Sequence, residues 1–145
     1  MSELYKILSI DYGKRRIGLA ITDPMRIIVS PYNTIKNNGL DNFLSEINNI
    51  IIKENVKKVV LGCPIKNDKN AEVVEDILNL KSKLLEIQNN NEVIDVFLQD
   101  ETYTSINAVN RMVMAGKNKN FRKKKENIDS FAAAIILEEF LNENQ

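Results

Sequence analysis

The 145-residue chain reads as an α/β protein built on a mixed five-stranded sheet with helices packed on it. Three features predict this. Short apolar segments joined by tight turns fill the first 35 residues, each with the length of a strand. Near residue 40 the apolar period changes from about 2 to about 3.6. Beyond that point strand-like and helix-like stretches alternate, as parallel crossover connections require.

Leu4–Ile10 (LYKILSI) is mostly apolar and runs into Asp11-Tyr12-Gly13-Lys14, so it reads as a buried central strand leading into a turn. Ile17–Thr22 (IGLAIT) is a second such run, ended by the turn signal Asp23-Pro24. Ile27–Ile35 is a third, which Pro31 makes an edge or interrupted strand. The close spacing of these runs implies an antiparallel meander. Leu40, Phe43, Leu44, Ile47, Ile50 and Ile51 then recur at helical spacing. Val56–Leu61 is a strand stopped by Gly62-Cys63-Pro64, and Asn70–Ile87 is a second amphipathic helix with Val73, Val74, Ile77, Leu80 and Leu84 on one side. Val93–Leu98 is the fifth strand. Ser105–Met114 is a short helix with Thr104 or Ser105 as its cap. Gly116–Arg122 reads as a loop, and Ile128–Leu141 as a closing helix containing the apolar run FAAAIIL. No repeat or low-complexity linker divides this βββ-α-β-α-β-α-α order, so residues 1–145 are expected to form one domain.

Composition narrows the chemistry. An apolar fraction of 43% supplies a core, and no apolar run approaches the ~20 residues of a membrane span. The N-terminus lacks the pattern of a signal peptide, so a cytoplasmic protein is expected. The single cysteine, Cys63, excludes an internal disulfide and a cysteine zinc cage, and without a histidine base it reads as a structural thiol. The absence of histidine removes the Ser-His-Asp and Cys-His mechanisms and histidine-bound zinc. Net charge is zero, yet Lys117, Lys119, Arg122, Lys123, Lys124 and Lys125 crowd one segment, and Lys14, Arg15 and Arg16 another. Both are candidate phosphate contacts, set against a lysine-rich background in which a solvated loop is the ordinary explanation.

Acids stand at three places: Asp11 after the first strand, Asp100-Glu101 after the fifth, and Asp129 at the start of the closing helix. Each has an ordinary explanation, respectively an Asx turn, an exposed loop and a complement to the helix dipole. Asp100 and Glu101 point to opposite faces, so at most one joins Asp11, and spacing does not choose between them. The small residues after Asp129 would let its helix lie close to the sheet. Three converging carboxylates would repel and raise one another's pKa values. Mg²⁺ or Mn²⁺ relieves that conflict, because hard oxygen ligands suit these ions. Two such ions about 4 Å apart would activate a water and stabilise the leaving oxygen of a phosphodiester. That chemistry needs no histidine.

The segments ILSIDYGKRRIGLAITD, VVLGCPIKND, Asp100 to Ser105, and KKKENIDSFAAAIIL resemble the YqgF (RuvX-like) family, over about Leu4 to Leu141. The resemblance implies a ribonuclease H-like fold and an enzyme of a family regarded as Holliday junction resolvases or pre-16S rRNA nucleases. By position it implies Asp11, Glu101 and Asp129 as catalytic, Mg²⁺- or Mn²⁺-binding carboxylates, which chooses Glu101 over Asp100. It places Arg16 on the family's R-I-G arginine and Lys119 to Lys125 on its lysine-rich loop. Lys14, Arg16, Lys119, Arg122, Lys123 and Lys124 are then the expected nucleic-acid contacts. The chain departs from the family at Thr102, where arginine is usual, so Arg16 or Arg122 would have to substitute. Residues 64–68 lack a customary glycine, and Cys63 replaces a leucine. The expected function is precursor 16S rRNA processing by metal-dependent phosphodiester hydrolysis. DNA junction cleavage and non-catalytic RNA binding in ribosome assembly are alternatives. An actin-like or sugar-kinase-like ATPase also opens on D-x-G, but needs two such domains. The expected partner is nucleic acid rather than membrane, and the protein a monomer or weak homodimer. Tyr12 and Tyr103 flank the acids and could stack on a base, although core packing suits them better.

Overall fold

The computed structural model describes residues 3–101 and 104–144, with side chains of 104–106 outside the description. Three strands open the chain: β1 (Lys6–Tyr12), β2 (Arg16–Thr22) and β3 (Val29–Lys36). They pair antiparallel as the expected meander. Helix α1 (Leu40–Glu54) leads to β4 (Val56–Cys63), and α2 (Ala71–Leu84) leads through the small hairpin β5 (Gln88–Asn89) and β6 (Glu92–Val93) to β7 (Asp95–Asp100). The strand order is β3-β2-β1-β4-β7, with β1, β4 and β7 parallel. Helices α3 (Thr104–Met114), α4 (Lys119–Lys123) and α5 (Lys125–Glu143) close the chain.

Side-chain alternation along the strands divides the interior into two cores. Leu8, Ile10, Ile17, Leu19, Val59 and Leu61 face one side and pack with Phe43, Ile47 and Ile51 of α1 and Ile77, Leu80 and Leu84 of α2. Ile7, Ala20 and Val60 face the other side and pack with Ala133, Ile136, Leu137 and Phe140 of α5. Helix α5 is buried nearly all round because α3 covers its outer side, where Ala108 meets Ala132 and Ile135.

Local readings needed three corrections. The segment read as the loop Gly116–Arg122 contains the helical turn α4, whose cap is the Asn118 side chain accepting from the Phe121 N–H at 2.9 Å. The expected strand Val93–Leu98 is divided: Val93 pairs back onto Gln88, and β7 starts at Asp95. Ile27 and Ile28 precede β3, held in a loop in which their N–H groups both donate to Asp23 Oδ1. Tyr12 packs in the core, edge-on to Phe43 at 6.3 Å between centroids. Thr102 and Tyr103, and the capping roles of the Thr104 and Ser105 side chains, lie outside the described residues.

What places α5 on the sheet is a missing side chain. A Cβ on Gly18 would stand 2.1 Å from the Asp129 carbonyl oxygen and 2.4 Å from its carbon. The helix backbone therefore rests on β2 at this glycine, as a glycine within a strand permits. Beside it, the Ser9 hydroxyl of β1 donates to the Ala133 carbonyl at 2.6 Å, a buried contact one helical turn further on. Gly18→Ala will therefore lower the unfolding free energy by about 2–3 kcal/mol, the scale of an overpacked core. Urea melts compare the two proteins, and an unchanged midpoint would mean that α5 yields freely at this contact.

Candidate active site

The register of the strands assembles the site. Asp11 ends β1 and is paired with Gly18 of β2, so the residue that admits the α5 backbone sits opposite the first acid. Ile7, Ser9 and Asp11 share the face that α5 covers, and Asp129 lies one helical turn before Ala133, the partner of Ser9. On β7 the same face carries Phe97, which packs on Phe140 at 5.1 Å, and Gln99, which donates to Glu143 at 3.1 Å. Glu101 follows two residues later and points to that side, whereas Asp100 is exposed. Strand alternation thus selects Glu101 once the covered face is known. Gly62 of β4 makes room for it: a Cβ there would stand 2.7 Å from Glu101 Oε2.

Asp11 and Glu101 share a side-chain hydrogen bond. Burial raises the pKa of both. The Glu101 carboxyl is pushed up to about 9 by burial first, then by the charge of Asp11 and their hydrogen bond, then by Asp100. Near neutral pH the pair therefore keeps a proton, with Glu101 the carboxyl held furthest above its ordinary value. Asp11 is raised by burial and by the charge of Asp129, and is lowered in part by the bond from Glu101. The second oxygen, Glu101 Oε2, is buried with no hydrogen-bond partner among the described residues. Two half-buried carboxyl groups held together, with one enclosed oxygen orphaned, form a hard donor set suited to a divalent cation.

Asp129 is not part of that contact. Its Oδ2 accepts from Arg16 Nε at 2.7 Å. Among the described residues no group of three acidic, cysteine or histidine side chains stands ready to hold an ion. The fold brings Asp11 and Glu101 into contact and Asp129 within electrostatic reach of Asp11, but it engages the third acid with an arginine.

The expected nucleic-acid contacts divide in the same way. Lys14 pairs with Glu72 at 2.8 Å across the exposed surface, and Arg16 is taken by Asp129. Lys119, Lys123 and Lys124 are exposed on α4 and the start of α5, and Lys125 continues the group. Phe121, edge-on to Phe131 at 6.0 Å, and the Asn127 amide donating to the Phe121 carbonyl at 2.8 Å fasten α4 to α5. Arg122 is half-buried, with Nε enclosed and without a partner among the described residues. Cys63 is half-buried beneath the site. Burial, then the charges of Glu101 and Asp100, push its thiol upward, so it stays protonated and unreactive, as expected of a structural thiol. Residue-by-residue reading missed Gly18, Gly62 and Ser9, which position the acids. A glycine inside the apolar run IGLAIT was the available signal.

Glu101 also predicts a pH dependence. Its carboxyl titrates near 9 in the fold against an ordinary 4.5, so its favourable contribution is complete below about pH 4.5 and is lost as pH rises through about 9. In EDTA the melting temperature will fall across this window, and Glu101→Gln, which mimics the protonated form, will flatten the fall. Identical pH profiles for the two proteins would refute the shift.

Comparison with known proteins places this geometry. A model of the RuvX family, described as Holliday junction resolvase, matches residues 5–143. A curated relative from Amoebophilus asiaticus named "Putative pre-16S rRNA nuclease" is 40% identical over 139 residues, 94% of each chain. A relative of the same name from Maridesulfovibrio salexigens is 36% identical over 137 residues, 94% of this chain and 97% of that one. Among solved structures, T. thermophilus RuvC in complex with a Holliday junction substrate superposes with a TM-score of 0.62 at 11% identity, over 97% of each chain. The fowlpox virus Holliday junction resolvase superposes with a TM-score of 0.58 at 16% identity, over 97% of this chain and 99% of that one. At these identities the structural likeness concerns the fold, which is ribonuclease H-like. With nearly the whole length matched in sequence and in fold, the chain belongs to the RuvX (YqgF) family of nucleases.

Proposed function

We propose that this protein is a metal-dependent nuclease that processes precursor 16S ribosomal RNA, using Asp11, Glu101 and Asp129. The observation that carries the reading is the half-buried Asp11–Glu101 pair with its enclosed, orphaned Oε2. A structural carboxyl pair gains nothing from an unsatisfied oxygen, whereas a cation site needs one. Asp11 and Glu101 would hold Mg²⁺ or Mn²⁺, with Asp129 as the further ligand. A divalent ion there supplies Lewis acidity and neutralises charge developing on the phosphodiester. The chain's own residues do the rest. Glu101 would pass its proton to solvent before its oxygens could serve as ligands. Gly18 and Gly62 hold the acids close to the sheet, and with no histidine in the chain a side-chain base would have to be a carboxylate or a lysine.

Nucleic acid would approach over α4 and the first turn of α5. Lys123, Lys124 and Lys125 stand at the positive end of the α5 dipole, an arrangement that is repulsive until an anion arrives. RNA is preferred to a DNA junction because the relatives at 36–40% identity are named for pre-16S rRNA, while the junction resolvases share the fold at 11–16%. No helix among the described residues is long and apolar enough to cross a membrane, in keeping with the cytoplasmic setting proposed here for a monomer or weak homodimer.

Two experiments test this reading. Pre-16S rRNA fragments, four-way DNA junctions and plain duplexes are offered side by side with Mg²⁺ or Mn²⁺. Cleavage of the rRNA fragments is expected, and Asp11→Asn will reduce it at least about a hundredfold with an unchanged circular dichroism spectrum. Full activity in that variant would remove Asp11 from the site, and cleavage of junctions alone would favour the resolvase alternative. Separately, Lys123→Ala and Lys124→Ala will each lower the slope of log binding constant against log salt by about 1 while leaving sequence preference untouched. Unaltered slopes would assign these lysines to solvent.

A further inference from the structure

Arg16 and Asp129 were expected to serve different partners, phosphate for one and a metal ion for the other. In the fold they serve each other. Arg16 Nε meets Asp129 Oδ2 at 2.7 Å, with the side chains 31% and 21% exposed, so the pair is shielded well beyond an ordinary surface ion pair. Arg16 lies two residues before Gly18 on the same face of β2, and Gly18 is paired with Asp11. The guanidinium, the third acid and the first acid therefore follow one another along a single face of the β1–β2 pair. Among the described residues the Nη groups of Arg16 make no hydrogen bond, so Asp129 is what holds this cation.

A single carboxylate cannot fully neutralise a guanidinium and a divalent ion at once. We propose that Arg16 is a latch: it holds Asp129 away from the Asp11–Glu101 pair while no ion is bound, and it is released toward substrate phosphate when Asp129 turns to join them. The inference rests on the nuclease reading above and adds to it an order of events. Asp129 is the bistable element, with one state paired to Arg16 and the other turned to the acids. Only in the second state would Asp11 and Glu101 hold the ion, and Arg16 the substrate phosphate, in full measure, so binding of each would favour binding of the other. The released guanidinium offers a two-pronged donor of the shape that phosphate takes. It would also do the work of the arginine that Thr102 replaces. Arg16 acts here as a positioning residue for Asp129 and as a conditional phosphate contact.

The latch is tested without turnover. Binding of a fluorescein-labelled RNA stem-loop is measured in EDTA for the full chain, Arg16→Gln, Asp129→Ala and the double variant. With Asp129 present, Arg16→Gln should change affinity less than about twofold, because Asp129 offsets the charge of the guanidinium and fixes it through Nε. With Asp129 removed, the same substitution should weaken binding about tenfold, the value of one charge-assisted contact. An equal effect of Arg16→Gln in both backgrounds overturns the latch and leaves the nuclease reading standing. RNA binding by none of the four proteins, in EDTA and again with Ca²⁺ in its place, sinks both. Should Arg16→Gln fail to fold, the unmodified protein decides by NMR. The Arg16 Nε–H resonance, identified by its loss in Arg16→Lys, should move toward the position of a free arginine as Mg²⁺ is added. A resonance unmoved at Mg²⁺ levels that have saturated the thermal shift overturns the proposal.

Discussion

Helix α5 touches the sheet backbone to backbone at Gly18. The Asp129 carbonyl occupies the volume that any side chain would need there. Because Gly18 is the β2 residue paired with Asp11, the closest approach of helix and sheet falls beside the first acid. Two neighbouring contacts maintain the same spacing: Ser9 bonded to Ala133, and Gly62 leaving room for Ile136 and Glu101 together. Interiors pack densely enough that a helix held at two such points cannot drift at a third. The position of Asp129, the burial of Glu101 and the depth of Asp11 all follow from this one approach.

Close packing has an electrostatic consequence. It drives two carboxyl groups into contact where water is scarce, and the fold tolerates them by keeping a proton on Glu101. A protein selected for stability alone would place apolar groups or a satisfied polar pair there. Glu101 Oε2 instead remains buried and without a partner among the described residues. Local inconsistency of this kind is where function is to be sought, and here it coincides with the acids that the family resemblance singles out. Asp129 adds its charge to the conflict but is paired with Arg16, so among the described residues the three acids are gathered in the fold but not assembled into one cluster.

Particular residues show what was legible in advance. The period of Leu40, Phe43, Ile47 and Ile51 and that of Val74, Ile77, Leu80 and Leu84 foretold which sides of α1 and α2 are buried, since spacing along a helix is a local property. Pro31 correctly marked β3 as an edge strand, and the meander followed from short runs and turn residues. The break within Val93–Leu98 was not legible, because Val93 is diverted by a hairpin with Gln88 rather than by its own propensity. Nor was α4, whose one-turn helix depends on the Asn118 cap and on Phe121 docking against Phe131. The acids were visible as candidates, and the choice of Glu101 over Asp100 needed the resemblance. In the fold it reduces to which face of β7 helix α5 covers.

By itself the sequence determined the opening meander, the alternation of helix and strand that follows it, the buried sides of α1 and α2, and the absence of histidine, which leaves carboxylates, lysines, hydroxyls or a metal to carry any chemistry. These are properties of residue type and local spacing. Tertiary structure alone decided that Asp11 is hydrogen-bonded to Glu101, that Asp129 is held by Arg16, and that Lys14 is engaged by Glu72 while Lys123 and Lys124 stay open to solvent. Each of those pairings joins residues far apart in the chain, and the place of Asp129 among them is set by how closely its helix can approach a glycine on a neighbouring strand.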